Sequence, residues 1–280
     1  MFFVYFACPS RRFPPRVSAI IQETQAGGNT APKGGNTVNE IQSCFKRYEK
    51  KYLLTREQYF AVKNGMAPYM KPDGHPRYTI CNVYYDTENY DLIRASLEKP
   101  VYKEKLRVRS YGVPQRGGKV FIELKKKYDG VVYKRRVTME TLGAIKYLRG
   151  LQPGDGSQIS REIDWFMRFY RPVPKVFIAY DREAYQARDG GELRLTFDTG
   201  LRARSNDLDL RCGDHGAPLL ADDKILMEIK IPGSTPLWLA RLLSLNGVFP
   251  VSFSKYGTYY KEFVLGGKNA VVKKEVVLSA

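Results

Sequence analysis

The sequence predicts an α+β protein built on an antiparallel sheet with short helices packed against it. Three observations carry this. Runs with period-two alternation recur along the chain, separated by helical stretches. Asp129-Gly130 and Asp189-Gly190-Gly191 lie between such runs, and tight turns of this kind need residues that tolerate positive φ, so the flanking strands are antiparallel neighbours. The polar face of strand after strand carries Lys or Arg.

Residues 1–39 read as a flexible leader. Met1–Cys8 is apolar but has no basic start, so it is a poor secretory signal, and the Gly27-Gly28 and Gly34-Gly35 region has linker composition. The folded region is expected over residues 40–265, with residues 266–280 as a C-terminal tail. Strands are predicted over Phe45–Leu53, Arg77–Tyr85, Tyr102–Tyr111, Lys119–Tyr128, Val131–Met139, Lys175–Arg188, Glu192–Arg204 and Lys224–Ile231. Thr55-Arg56-Glu57-Gln58 has capping-box spacing and should open a helix reaching Met66. Further helices are expected over Asn89–Leu97, Leu142–Arg149, Ser160–Tyr170 and Pro236–Asn246, and a short one from Lys255 to Phe263.

Alternate side chains of a strand share a face. Tyr102–Tyr111 puts Lys103, Lys105, Arg107 and Arg109 opposite Leu106 and Val108. Lys119–Tyr128 sets Glu123, Lys125 and Lys127 against Ile122 and Leu124, and Val131–Met139 sets Lys134 and Arg136 against Tyr133 and Val137. The other strands place Arg47, Glu49 and Lys51, then Arg182, then Arg194, then Glu228 and Lys230 on their polar faces. A solvated face normally mixes both signs and avoids like charges across strands. Here basic residues dominate, and like charges about 4 Å apart repel by roughly 4 kcal/mol at an effective dielectric near 20. A sheet closed with this face inward would make a basic tunnel that concentrates polyanions, its Arg and Lys donating charge-assisted hydrogen bonds to phosphate oxygens.

Composition agrees. The 280 residues carry 46 Lys+Arg against 29 Asp+Glu, a formal charge of +17, which calls for a polyanionic partner. With 43% hydrophobic residues, global disorder is excluded, and no run approaches the roughly 18 apolar residues of a spanning helix. Cys8, Cys44, Cys81 and Cys212 are scattered and His75 and His215 are the only histidines, so a zinc site or a His-based triad does not fit; any metal should be held by carboxylates. The scattered thiols fit a reducing, cytoplasmic setting. Trp165 and Trp238 read as packing residues and His75 as a loop residue.

Several stretches resemble the VTC (vacuolar transporter chaperone) polyphosphate polymerase domain of the CYTH-like triphosphate tunnel metalloenzymes. They are Arg47-Tyr48-Glu49-Lys50-Lys51-Tyr52, Tyr84-Tyr85-Asp86-Thr87, Lys105-Leu106-Arg107-Val108-Arg109-Ser110-Tyr111-Gly112, Phe121-Ile122-Glu123-Leu124-Lys125 and Tyr133-Lys134-Arg135-Arg136. Tyr180-Asp181-Arg182, Phe197-Asp198-Thr199, Met227-Glu228-Ile229-Lys230 and Phe253-Ser254-Lys255-Tyr256 continue the order. The resemblance implies a closed antiparallel β-barrel of about eight strands, with helices outside and a tunnel that binds a nucleotide triphosphate with Mn²⁺ or Mg²⁺. It implies Lys51, Arg107, Arg109, Lys125, Lys134, Arg136, Arg182, Arg194 and Lys230 as phosphate ligands. It likewise implies Glu228 as metal ligand, Glu123 as a second acidic residue, and Lys255, with Glu228, at the reacting phosphate. In Arg47-x-Glu49-x-Lys51 a base stands where tunnel triphosphatases often have the first acid, which argues against a hydrolase needing two carboxylate-bound metals.

The expected activity is therefore transfer of the ATP γ-phosphate to orthophosphate or polyphosphate. A tunnel triphosphatase and a non-catalytic polyphosphate- or pyrophosphate-binding module remain as alternatives. Sequence-specific nucleic-acid binding is not expected, because the basic residues follow strand period and form no basic arm or recognition helix. Oligomeric state and a membrane partner are left open.

Overall fold

A computed structural model describes residues 48–129 and 131–267. The leader 1–39, Arg47, Cys8, Cys44 and the tail after Gly267 lie outside the described residues. The described elements are β1 (Tyr48–Leu54), α1 (Arg56–Met66), β2 (Met70–Asp86), α2 (Asp91–Leu97), β3 (Tyr102–Tyr111), β4 (Lys119–Tyr128), β5 (Val131–Glu140), α3 (Thr141–Leu148), α4 (Gln158–Tyr170), β6 (Val173–Ala187), β7 (Arg194–Arg204), β8 (Ala217–Pro218), β9 (Ile225–Ile231), α5 (Leu237–Leu245) and α6 (Lys255–Tyr259). A single π turn, Tyr260–Leu265, follows α6.

The expected elements form with small shifts of boundary. Thr55 caps α1 by accepting from the Gln58 amide, and the Gln58 side chain returns the bond to the Thr55 amide, the reciprocal pair its spacing predicts. β2 extends well before Arg77, past a register shift between Pro72 and Arg77. His75 therefore lies in an exposed, irregular stretch of β2 and not in a free loop.

All strand pairs are antiparallel, in the order β1-β9-β7-β6-β2-β3-β4-β5, with β8 added beside β7. The expected closure into a barrel is corrected here: β1 and β5 end the path and are not paired with each other. The sheet nevertheless curls. β1 and β4 are six strand spacings apart, about 29 Å in a flat sheet, yet Lys125 Nζ on β4 lies 4.0 Å from Glu49 Oε2 on β1. Side chains and the segment after α5 bridge the gap that backbone pairing leaves. The Val251 amide donates to the Lys51 carbonyl at 2.7 Å on the outer edge of β1.

Two apolar clusters cover the convex face. Leu106, Ile122, Leu124 and Phe177 pack under α3 and α4, through Tyr147, Ile163 and Phe166. Tyr52, Phe197, Met227 and Ile229 pack under α1 and α5, through Val62, Met66, Leu239 and Leu243. Trp165 and Trp238 join these clusters, Trp238 stacked on Tyr69 at 4.2 Å. A third cluster corrects the expectation that every helix lies outside. Tyr256 and Tyr259 of α6 pack with Ile80, Tyr84, Ile178 and Leu226, which share strand faces with Asn82, Arg182 and Glu228. The concave face is thus plugged at one side by α6 and left cationic over the rest. Among the described residues no helix is long and apolar enough to cross a membrane.

Candidate functional site

The concave face of the curled sheet gathers basic residues from several strands around two acidic nodes. The first is Glu123 on β4, 1% exposed. Its Oε2 accepts from Arg107 Nε at 2.9 Å and Nη2 at 2.7 Å, and its Oε1 accepts from Arg136 Nε at 2.9 Å and lies 2.8 Å from Lys134 Nζ. Arg107, Glu123 and Arg136 are successive Cα partners across β3, β4 and β5, so strand register alone brings them together. Burial would raise the Glu123 carboxyl, but Arg107, Arg109 and Lys134 override it and hold it far below the usual range.

The second node joins Asp198 of β7 to Glu228 of β9. Arg182 on β6 grips Asp198 through two bonds of 2.6 and 2.7 Å and reaches Glu228 Oε2 at 3.4 Å. Lys255, the first residue of α6, donates to Asp198 Oδ2 at 2.6 Å and to Glu228 Oε1 at 3.2 Å. Lys51 on β1 approaches the same Glu228 oxygen at 3.7 Å. Burial acts against the Glu228 charge, yet Lys255, Lys51, Arg182 and Lys230 keep its carboxyl well below the ordinary value. Burial likewise opposes the Lys255 charge, but Asp198 and Glu228 prevail and raise its ammonium above the ordinary value.

Aromatic groups link the nodes. Lys255 Nζ sits 4.3 Å from the centre of the Tyr180 ring and Arg182 5.3 Å from it, while the Tyr180 hydroxyl accepts from Arg109 Nη2 at 3.3 Å. Arg109 also donates to Asn82 Oδ1, and Arg107 to the Tyr84 hydroxyl. α6 is placed by Asp86, whose carboxylate accepts from the Tyr256 hydroxyl and from the Leu92 and Ile93 amides of α2.

The structure thus brings Lys51, Arg107, Arg109, Lys125, Lys134, Arg136, Arg182, Glu123, Glu228 and Lys255 to one hollow. Lys230, two residues after Glu228 on β9, joins them through its field on Glu228 and Glu49, while Arg194, its Cα partner on β7, lies farther out. Arg194 is half-exposed and reaches Asp73 at 3.7 Å. Sequence reading missed Asp198 and Tyr180, although Asp198 has the strand parity of Arg194 and Tyr180 that of Arg182; period two was a sufficient signal for both. It also left the uncompensated Lys105 without a role.

Hard divalent ions take oxygen ligands. Glu123 does not fit one, since both its oxygens are engaged by cations at hydrogen-bond distance. Glu228 meets its cations only at 3.2 to 3.7 Å. Glu49 on the adjacent β1 meets Lys51 and Lys125 at 3.5 and 4.0 Å. These two loosely held carboxylates flank Lys51 and fit such an ion better than Glu228 with Glu123. Among the described residues no group of three or more His, Cys, Asp or Glu is clustered for a metal.

The inner face of this curled antiparallel sheet is thus a basic hollow built around buried carboxylates. The sequence profile of the VTC domain matches residues 46–264, and the chain belongs to that family. No curated protein matches it. Solved structures similar to it include a candidate adenylate cyclase from Bacillus halodurans, 13% identical over 74% of this chain and 92% of that one, with a TM-score of 0.47. Another is a candidate adenylyl cyclase from Hippeastrum described as having a dominant triphosphatase activity, 17% identical over 81% and 98%, TM-score 0.43. A Pyrococcus horikoshii protein is 13% identical over 79% and 100%, TM-score 0.38. Likenesses this distant say nothing of what the chain acts on.

Proposed function

We propose that the protein is a polyphosphate polymerase that transfers the γ-phosphate of ATP to orthophosphate or to a polyphosphate end within this hollow. The observation that carries the reading is the position of Lys255, buried between Asp198, Glu228 and the Tyr180 ring and on the same concave face as Arg107, Arg109 and Arg182. Phosphoryl transfer needs positioning and neutralisation of charge on the equatorial oxygens more than covalent help from the protein. Arg107, Arg109, Arg136 and Arg182 supply fixed guanidinium forks for the triphosphate, and Lys255 a single ammonium for the phosphorus under attack. The acceptor oxygen forms its bond to the γ-phosphorus as the bond to the β-phosphate oxygen breaks, and ADP leaves with that electron pair.

The acceptor is already anionic, so no histidine base is needed; His75 and His215 are both exposed and neither bonds a group of the hollow. Glu228 and Glu49 would hold Mn²⁺ or Mg²⁺, which neutralises phosphate charge when bound. That pair also favours a second reading, a tunnel triphosphatase using water as acceptor.

Incubation with ATP and Mn²⁺, followed by gel separation of products, tests the proposal. Long polymer is expected. Orthophosphate alone would establish the hydrolase, and tight binding without product would leave a binding module. In the polymerase, Lys255→Ala should lower kcat by about 10²–10³ while nucleotide binding changes little, because Arg182 still grips Asp198. Unchanged kcat would remove Lys255 from the chemistry.

A further inference from the structure

The convex side of the molecule carries a second concentration of positive charge. α3 and α4 turn Ala144, Tyr147, Ile163 and Phe166 onto the sheet, and the Tyr147 hydroxyl donates to the Ser160 carbonyl at 3.0 Å, so the two helices form one layer. Their outward stripes are basic and apolar together. On α4, Arg161, Trp165, Arg168 and Phe169 recur at helical spacing along a single face. On α3 and its last turn, Leu142, Lys146 and Arg149 do the same. Leu151 is brought back towards Leu142 by the next residue, Gln152, whose side chain donates to the Gly143 carbonyl at 3.1 Å.

Two features set this layer apart from an ordinary wet surface. Lys146, Arg149, Arg161, Arg168 and Arg171 are all exposed, and none has an ion pair among the described residues. Arg161 and Arg168 donate instead to the Gly156 and Asp164 carbonyls. Of the acids in the same stretch, Glu162 is taken up by Lys126 at 2.8 Å and Arg135 at 3.4 Å, Asp164 is half-buried, and Asp155 alone is exposed. Beside these cations Leu142 and Phe169 are each 53% exposed and Leu151 72%. Phe169 lies flat against Trp165, ring centres 4.7 Å apart, which makes one broad aromatic plate at the surface.

Apolar groups gathered in the open among cations mark a place of interaction. Nucleic acid would use the cations and leave Leu142, Leu151 and Phe169 in water. A bilayer with anionic headgroups uses both: rings and leucines enter the boundary of the acyl chains, while Lys and Arg heads stay at the level of the phosphates with their stems along apolar surface. We infer that the α3–α4 layer is a docking surface for a membrane of anionic lipid, which the protein meets from one side without crossing. The inference is independent of what the hollow binds, and it directs the concave face away from the bilayer.

The experiment uses the full chain and vesicles of phosphatidylcholine, with and without phosphatidylserine. In W238F, Trp165 is the one tryptophan left, and its emission should shift to the blue only on vesicles that contain phosphatidylserine. Co-sedimentation of the chain with both tryptophans gives an independent reading. In that assay R161Q/R168Q should bind about thirtyfold more weakly, roughly fivefold per charge, and L151S/F169S at least about tenfold more weakly. All four side chains are exposed, so the melting temperatures of both variants should match that of the native chain. Equal binding to vesicles of phosphatidylcholine alone, or binding that neither double variant weakens, would overturn the surface. So would an affinity for duplex RNA that falls in R161Q/R168Q while phosphatidylserine vesicles stay unbound, since the layer would then be a nucleic-acid face.

Discussion

Lys105 sits among the cations of the hollow, with no ion pair among the described residues. Its ammonium is pushed down to about 7, far below the ordinary lysine value of about 10.4. Burial is the main cause, with Lys103, Lys125, Lys51 and Arg107 adding to it, and the Ser254 hydroxyl accepts a hydrogen bond from the ammonium. Between these two pKa values the folded state binds fewer protons than the unfolded state, so ligand-free stability rises with pH there. Lys134, lowered to about 8 by burial despite Glu123, acts in the same direction. The melting temperature of the free protein should therefore climb as pH rises from about 7 towards about 10, with Lys134 adding to the climb above about 8. A phosphate beside Lys105 reverses the depression and draws a proton in, so polyphosphate affinity should weaken over that same interval. Calorimetry near pH 8 in buffers of unlike ionisation enthalpy will detect the uptake; heats independent of buffer would refute it.

Strand register explains the acidic nodes. Glu123 is held by neighbours on β3 and β5 in one ladder, whereas Glu228 is held across β1, β6 and α6, by cations at longer range. The two carboxylates should accordingly respond differently to neutralisation. Glu123→Gln strands Arg107 and Arg136 without their acid and should cost about 3–5 kcal/mol of stability, with the divalent-ion requirement unchanged. Glu228→Gln should raise the Mn²⁺ concentration needed for half-maximal activity or for half-maximal thermal stabilisation. Denaturant melts and metal titrations of both variants check this, and an identical metal dependence in the two would contradict the assignment.

Period two made the β3, β4 and β5 faces legible, because Lys and Arg alternate there with Leu, Ile and Val. It placed Tyr84 and Tyr180 on the right face without marking their role, since an uncharged tyrosine on a strand reads equally well as core. Nothing in the spacing marks the role of Val251 to Ser254, which depends on where the chain returns after α5. The plugging of the concave face by α6 was equally hidden, since Tyr256 and Tyr259 carry no sign of which face of the sheet they meet.

The whole molecule holds a net charge of +17 and concentrates much of it on one concave face. A ligand that binds only the folded state stabilises by RT ln(1 + [L]/Kd), about 2.7 kcal/mol at a hundredfold excess over Kd. Tripolyphosphate should therefore raise the melting temperature by several degrees, with an effect that shrinks as salt rises. Duplex DNA at equal phosphate concentration should do far less, because its width keeps it from the inward-facing groups. An equal shift from DNA would place the relevant charge on the outer surface.

The edges of the sheet are joined by an ion pair of 4.0 Å and by contacts from the segment after α5, not by a ladder between β1 and β5. A seam held in this way can part and reseal without breaking a ladder between two strands of the sheet. The hollow is then an adjustable one, its width set by side chains that are free to exchange partners.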